Sequence, residues 1–155
     1  MGALRRRRAL LPQDIPWVVA AIGFVVLVSA NTAVQRRQTH KREVTIERIL
    51  KVQQALERYA IDNAGRFPPQ KVGLSALVEP PGPDVQPQPL RWCGPYVTSQ
   101  EDLRDGWGRP FWYLVGGPGD PPRPYELFSQ GADNSDGGKS MDADIDAWDP
   151  DTLVP

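Results

Sequence analysis

The sequence predicts an α+β fold: a long N-terminal helix lying on a short antiparallel meander, followed by an acidic loop. Three observations predict it. No Gly or Pro interrupts the chain between Phe24 and Ala64. Aromatic-rich pieces follow at Trp92 to Val97, Pro110 to Val115 and Tyr125 to Phe128, separated by turn residues. Five carboxylates then fall within the 14 residues from Asp133 to Asp146, with Gly137 and Gly138 among them. At 155 residues the chain holds one ordinary domain plus an appendage, and its 17 Pro and 14 Gly exclude an all-helical bundle.

The net charge of −1 conceals two halves of opposite sign. Residues 1 to 48 carry +6 and the remainder −7; from residue 133 onward seven Asp face only Lys139. A basic head and an acidic tail point to two environments.

From Ile15 to Gln35 there are 21 residues without a charge, with Arg5 to Arg8 before them and Arg36, Arg37, Lys41 and Arg42 after. As a helix this run spans about 31 Å, the thickness of a bilayer's hydrocarbon core. It therefore reads as a transmembrane segment (15–35) behind a basic leader-like segment (1–14). Basic residues flank both ends, so the charge count does not set the orientation. A cleaved export signal is the rival reading, because Val28-Ser29-Ala30 ends in small residues. In both readings residues from 36 onward are exported.

Ile46, Ile49, Val52, Leu56, Tyr59 and Asn63 recur every three or four residues, with Glu47, Lys51, Glu57 and Arg58 elsewhere. That spacing predicts an amphipathic helix (36–64) continuing the first. Gly65 sits where the C′ residue belongs, and Pro68 and Pro69 stop the helix near Asn63. A continuous helix from Pro16 to Asn63 makes a rod of about 72 Å. The head (65–155) begins with a Pro-rich connector (66–91) containing one short helical pattern, Leu74 to Val78. The expected sheet region (92–130) follows, with turns at Trp107-Gly108 and Gly116-Gly117-Pro118-Gly119.

One cysteine and one histidine exclude an internal disulfide and a Cys/His zinc centre. Cys93 reads as a small packed side chain with no chemistry. The acidic loop (130–148) is the only concentrated chemistry. Carboxylates on a Gly-rich turn suit calcium, whereas transition metals want His or Cys and magnesium wants substrate phosphates. A solvated acidic turn fits the same composition. An EF-hand is excluded, because a loop starting at Asp142 places Ala147 at the glycine position and Leu153 at the terminal glutamate position. No phosphate loop, dinucleotide fingerprint or nucleophile motif occurs, and His40 has no motif to serve, so no enzyme is expected. Beside a membrane segment, Arg5 to Arg8 hold the N-terminus at the cytoplasmic face rather than binding nucleic acid.

Five stretches in order resemble one family. They are Leu56-Glu-Arg-Tyr-Ala-Ile-Asp-Asn-Ala-Gly-Arg-Phe-Pro68, Gly73-Leu-Ser-Ala-Leu-Val-Glu79, Trp92-Cys-Gly-Pro-Tyr96, Asp105-Gly-Trp-Gly-Arg-Pro-Phe111, and Leu127-Phe-Ser-Gln-Gly-Ala-Asp133 running to Asp142-Ala-Asp-Ile-Asp-Ala-Trp148. From residue 56 onward the chain resembles the major pseudopilins of type II secretion systems. The resemblance implies a pilin-like fold and a structural, non-enzymatic subunit. It would polymerise with itself into a short helical filament that helps export folded proteins across the outer membrane. Implied partners are minor pseudopilins, a prepilin peptidase, an inner-membrane assembly platform and a secretin. The implied location is a single pass of the bacterial inner membrane, N-terminus cytoplasmic and head periplasmic. Carried over by position, the calcium ligands would be Asp133, Asp142 and Asp144 with a backbone carbonyl near Gln130; Ser140, Asp136 and Asp146 are further candidates, and Lys139 weakens the site.

The N-terminus departs from the family, which is cleaved after a Gly to leave Phe-Thr-Leu-Ile-Glu and then methylated. A gapless count back from Tyr59 places Ala9 at the cleavage residue, Leu10 at the first mature residue and Asp14 at the acidic position. Pro12 and Pro16 are unusual there. The alternative is an uncleaved, membrane-anchored, calcium-dependent binding module with the same head that does not polymerise.

Overall fold

The computed structural model describes residues 15–116 and 123–154. These fall in two compact units, Met1–Arg37 and Gln38–Pro155. Helix α1 covers Ile15–Asp62.

In the first unit the described residues are helical, and the apolar side chains from Val19 to Val34, with Trp17, face outward. Trp17 is 79% exposed and Leu27 71%. The few polar groups are satisfied within the helix, since Ser29 Oγ donates to the Val25 carbonyl at 2.8 Å and Thr32 Oγ1 to the Ser29 carbonyl at 2.9 Å. Such a surface is costly in water and favourable in lipid, and by length and composition α1 is apolar enough to cross a membrane.

In the second unit the helical spacing does what the sequence predicts. Ile46, Ile49, Val52, Leu56, Tyr59 and Asn63 are all buried, while Glu47, Lys51, Glu57 and Arg58 are exposed. The stripe extends further toward the N-terminus, through Thr45 to Arg42, both also buried. Across from it lies a three-stranded antiparallel sheet, order β1-β2-β3, built from β1 (Trp112–Val115), β2 (Tyr125–Ser129) and β3 (Ile145–Asp146). The register pairs Tyr113 with Leu127 and Ser129 with Ile145. Strand alternation then sends Tyr113, Tyr125, Leu127 and Ile145 into the core, and leaves Trp112, Leu114, Glu126 and Phe128 on the outer face. A 3-10 turn at Gly73–Leu77 closes the core with Leu74, Ala76 and Leu77.

Three expectations need correction. First, Trp92–Val97 is not a strand. Pro95 has no amide hydrogen to give a ladder, and the amides of Tyr96 and Val97 both donate to the Leu77 carbonyl, so the segment packs on the 3-10 turn instead. The third strand is Ile145–Asp146, inside the acidic region. Second, the helix stop begins one residue earlier than Gly65. Ala64 already has φ +55°, and the Gly65 amide donates back to Ala60 at 2.8 Å, so Ala64 is C′ and Gly65 is C″ of a Schellman turn. Third, Cys93 is exposed rather than packed. The turn at Trp107-Gly108 is present, with Gly108 at φ +86°. Gly117, Pro118 and Gly119 lie outside the described residues.

Candidate functional site

The acidic segment is built on a Gly-rich frame. Gly131, Gly137 and Gly138 have φ of +59°, +91° and +90°, and Asn134 and Ser140 are also left-handed, at +59° and +60°. Two of these glycines permit close approach of backbone. A Cβ on Gly138 would sit 2.4 Å from the Asp142 carbonyl oxygen, and one on Gly131 would sit 2.7 Å from the Asp142 and Ala143 carbonyl oxygens. The two legs of the loop are therefore held against each other by backbone. Ala132 N donates to Met141 O at 3.0 Å and Asp144 N to Gly137 O at 3.2 Å.

On this frame the carboxylates are distributed unevenly. Asp144 accepts from the Gly137 amide on Oδ2, at 2.9 Å, while its Oδ1 is buried with no hydrogen-bond partner. Asp136 accepts from Gln130 Nε2 at 2.6 Å. Asp133 accepts from the Ser135 amide at 3.1 Å. Asp136, Asp144 and Asp146 line one concavity together with Glu126, Asp149 and Thr152. Asp133, Asp142 and Ser140 are exposed and do not line it. Among the described residues no three His, Cys, Asp or Glu side chains gather closely enough to hold an ion between them. The orphaned Asp144 oxygen and the all-oxygen character of the loop's side chains fit a hard cation, without a preformed carboxylate triad.

Three arginines surround the region, and neither composition nor a motif singles them out. Arg123 Nη1 reaches Asp146 Oδ2 at 2.9 Å and Glu126 Oε2 at 3.3 Å. The carboxylate of Asp146, through its hydrogen bond to Arg123, keeps that guanidinium's pKa above its usual value. Arg42 is 8% exposed and donates to the Thr152 carbonyl at 2.9 Å and the Ala143 carbonyl at 3.5 Å; its burial lowers its pKa. Arg109 forms an ion pair with Asp105, Nη2 to Oδ2 at 2.9 Å, and donates from Nη2 to the Gly131 carbonyl. For Arg42 a sequence cue exists: it falls four residues before Ile46, on the same helical stripe. For Arg109 the cue is its i, i+4 spacing from Asp105.

Asp105 is the centre of this support. Its buried carboxylate accepts from the amides of Trp107 and Arg109, at 2.9 and 2.8 Å, and from Ser129 Oγ at 3.0 Å. The adjoining turn is stitched to α1. The Gly106 amide donates to Thr45 Oγ1 at 2.8 Å, Trp107 Nε1 to Gln38 Oε1 at 2.9 Å, and Arg48 to the carbonyls of Arg104 and Asp105. The proposed processing residues Ala9, Leu10 and Asp14 lie outside the described residues.

Comparison with known proteins matches this architecture. The model of the family described as "Type II secretion system (T2SS), protein G" matches residues 32–148. The type II secretion system core protein G of Pseudomonas aeruginosa is 33% identical over 136 residues, 88% of this chain and 91% of that protein. That of Vibrio cholerae is 27% identical, covering 96% of both. Among solved structures, the major pseudopilin of the type 2 secretion system of enterohaemorrhagic Escherichia coli superposes with a TM-score of 0.55 at 28% identity, over 74% of this chain and 92% of that one. With 117 consecutive residues under the family model and the same helix-on-sheet fold, the chain belongs to the type II secretion system protein G family.

Proposed function

We propose that this chain is the structural subunit of a type II secretion pseudopilus. Supporting this reading is the uncharged helical run from Ile15 to Gln35, exposed from Val19 onward, in a chain of the protein G family. An apolar helix of that length anchors the subunit in the inner membrane and packs against like helices in a filament core. The N-terminus is cytoplasmic, the head is periplasmic, and no catalysis is required of it. Cross-linking in intact membranes tests the assembly: a ladder of homo-oligomers is expected, and a single heterologous adduct would favour the non-polymerising binding module.

The same reading makes the 130–148 loop a calcium site. Asp144 would supply its unpartnered oxygen, and Asp133, Asp142, Asp136, Ser140 and the Gln130 carbonyl, which form no preformed cluster, would converge on the ion as it binds. The ion would neutralise the loop and fix its conformation. Processing between Ala9 and Leu10 would leave Asp14 five residues into the mature chain, where it could pair with a new, methylated amino terminus inside lipid. Mass spectrometry of the membrane-purified protein should find Leu10 first; retention of Met1 to Arg8 would end that part of the proposal.

A further inference from the structure

We propose that Arg109 is the positioning residue of the acidic loop, tying its first leg to the head through the buried Asp105 turn while contributing no ligand itself. The inference rests on the calcium reading for what the loop holds, but its geometry is independent of any ion.

A guanidinium has five N–H donors in a fixed fork and no lone pair, so Arg109 cannot ligate a cation. It can set where the loop's oxygens stand. Its Nε donates to Asp105 Oδ2 at 3.0 Å, and its Nη2 reaches both the same oxygen and the Gly131 carbonyl. Gly131 is the residue after Gln130, whose carbonyl is a candidate ligand, and it is buried with φ +59° against the backbone of Asp142 and Ala143. Fixing the Gly131 peptide thus fixes the separation of the legs 130–132 and 141–144.

The ion pair also answers an electrostatic difficulty. A lone arginine beside a dication site repels the ion. Here Asp105, whose side chain is 3% exposed, compensates the charge at 2.9 Å, so the fork serves as a nearly neutral strut. Asp105 in turn is held by two amides and Ser129, and the next residue, Gly106, by Thr45 on α1. The loop's frame is therefore referenced to the same helix that carries the core.

The test uses the full chain in detergent micelles. The substitution Arg109→Lys keeps the charge near Asp105 and removes the fork; Arg104→Lys, at an exposed side chain that donates to the Gly108 carbonyl, is the neighbouring control. In chelator, amide exchange at Ala132 and Asp144 should accelerate at least tenfold in Arg109→Lys and stay unchanged in Arg104→Lys, with Leu127 in β2 protected in both. Calcium titration by calorimetry should show at least a tenfold weaker affinity in Arg109→Lys alone. Unchanged exchange at Ala132 and Asp144 would overturn the proposal. Faster exchange with unchanged calcium affinity would also overturn it as a positioning role. If the wild-type chain takes up no calcium, the calcium reading fails and the exchange comparison still decides the strut. Should Arg109→Lys not fold, Ser129→Ala removes one hydrogen bond from Asp105, leaves the pair intact, and should show the same pattern at two- to threefold.

Discussion

Single atoms decide how the 105–109 turn meets α1. A Cβ on Gly106 would stand 2.0 Å from the Lys41 carbonyl oxygen and 2.7 Å from its carbon. That neighbour is helix backbone, which cannot swing aside. Gly106→Ala must therefore lift the turn, breaking the Gly106–Thr45 hydrogen bond and loosening the Arg48 contacts. A loss of about 2–4 kcal/mol in urea unfolding is expected. Gly82→Ala, with nothing within 4 Å, should stay within about 0.5 kcal/mol. The phenols give a second expectation at this scale. Burial pushes Tyr125 up to about 12, with the charge of Glu57 adding to it, and burial likewise pushes Tyr96 up to about 12. Tyr59 and Tyr113 are raised by burial as well. Between pH of about 10 and 12 the folded chain then binds more protons than the unfolded one, so these groups' contribution is intact below about 10 and is lost as pH rises through that window. Urea midpoints should fall steadily from pH 10 to 11.5, and a flat profile would contradict the assignment.

At the scale of elements, the sheet closes both its edges with side chains. Gln70 presents an amide to the free edge of β1, donating Nε2 to Tyr113 O at 2.9 Å and accepting from Val115 N at 3.1 Å, as a peptide unit would. On β3 the Asp146 amide donates to Thr152 Oγ1 at 3.0 Å. An open edge is a template for unwanted strand pairing, and a filament subunit at high local concentration is especially exposed to it. Gln70→Ala should cost about 1 kcal/mol by urea unfolding and raise irregular self-association of the full chain in micelles by light scattering. An unchanged midpoint with unchanged scattering would show that the plug does neither. Gln70 also shows where sequence reading ends. The α1 core stripe was legible because burial on a helix repeats every three or four residues, and β1 and β2 because each is an aromatic-rich piece bounded by turn residues. Trp92–Val97 looks like a strand by composition, but Pro95 and the reach of Leu77 O redirect its hydrogen bonds. β3 is two residues long and embedded among aspartates, so no periodicity announces it. In the acidic loop, the carboxylates were visible as composition; that Asp144 alone has a buried unpartnered oxygen, and that Arg42 and Arg109 hold backbone carbonyls, depends on contacts across 22 to 110 residues of chain.

Across the whole molecule the question is what balances the acidic tail, which carries −6 from residue 133 onward. The arginines nearest to it are already committed: Arg123 to Asp146 and Glu126, Arg109 to Asp105, and Arg42 to two neutral carbonyls. None of the ion pairs among the described residues involves Asp133, Asp136, Asp142 or Asp144. The chain's own cations thus leave these four to repel one another, and a bound dication would bring the tail from −6 to −4. Binding to the folded state alone stabilises it by about 2.7 kcal/mol when free calcium is one hundred times Kd. Thermal melts of the full chain in micelles should therefore rise by several degrees with calcium over chelator. Magnesium, which dehydrates reluctantly and demands six near-ideal ligands, should give a clearly smaller rise at equal concentration. Asp144→Asn keeps the side chain's shape, gives the buried position a neutral amide and removes one charge from the site. It should lower the calcium-dependent rise more than it lowers the melting temperature in chelator, whereas an equal loss in both, or a wild-type melt indifferent to calcium, would mean that the loop is a solvated acidic turn.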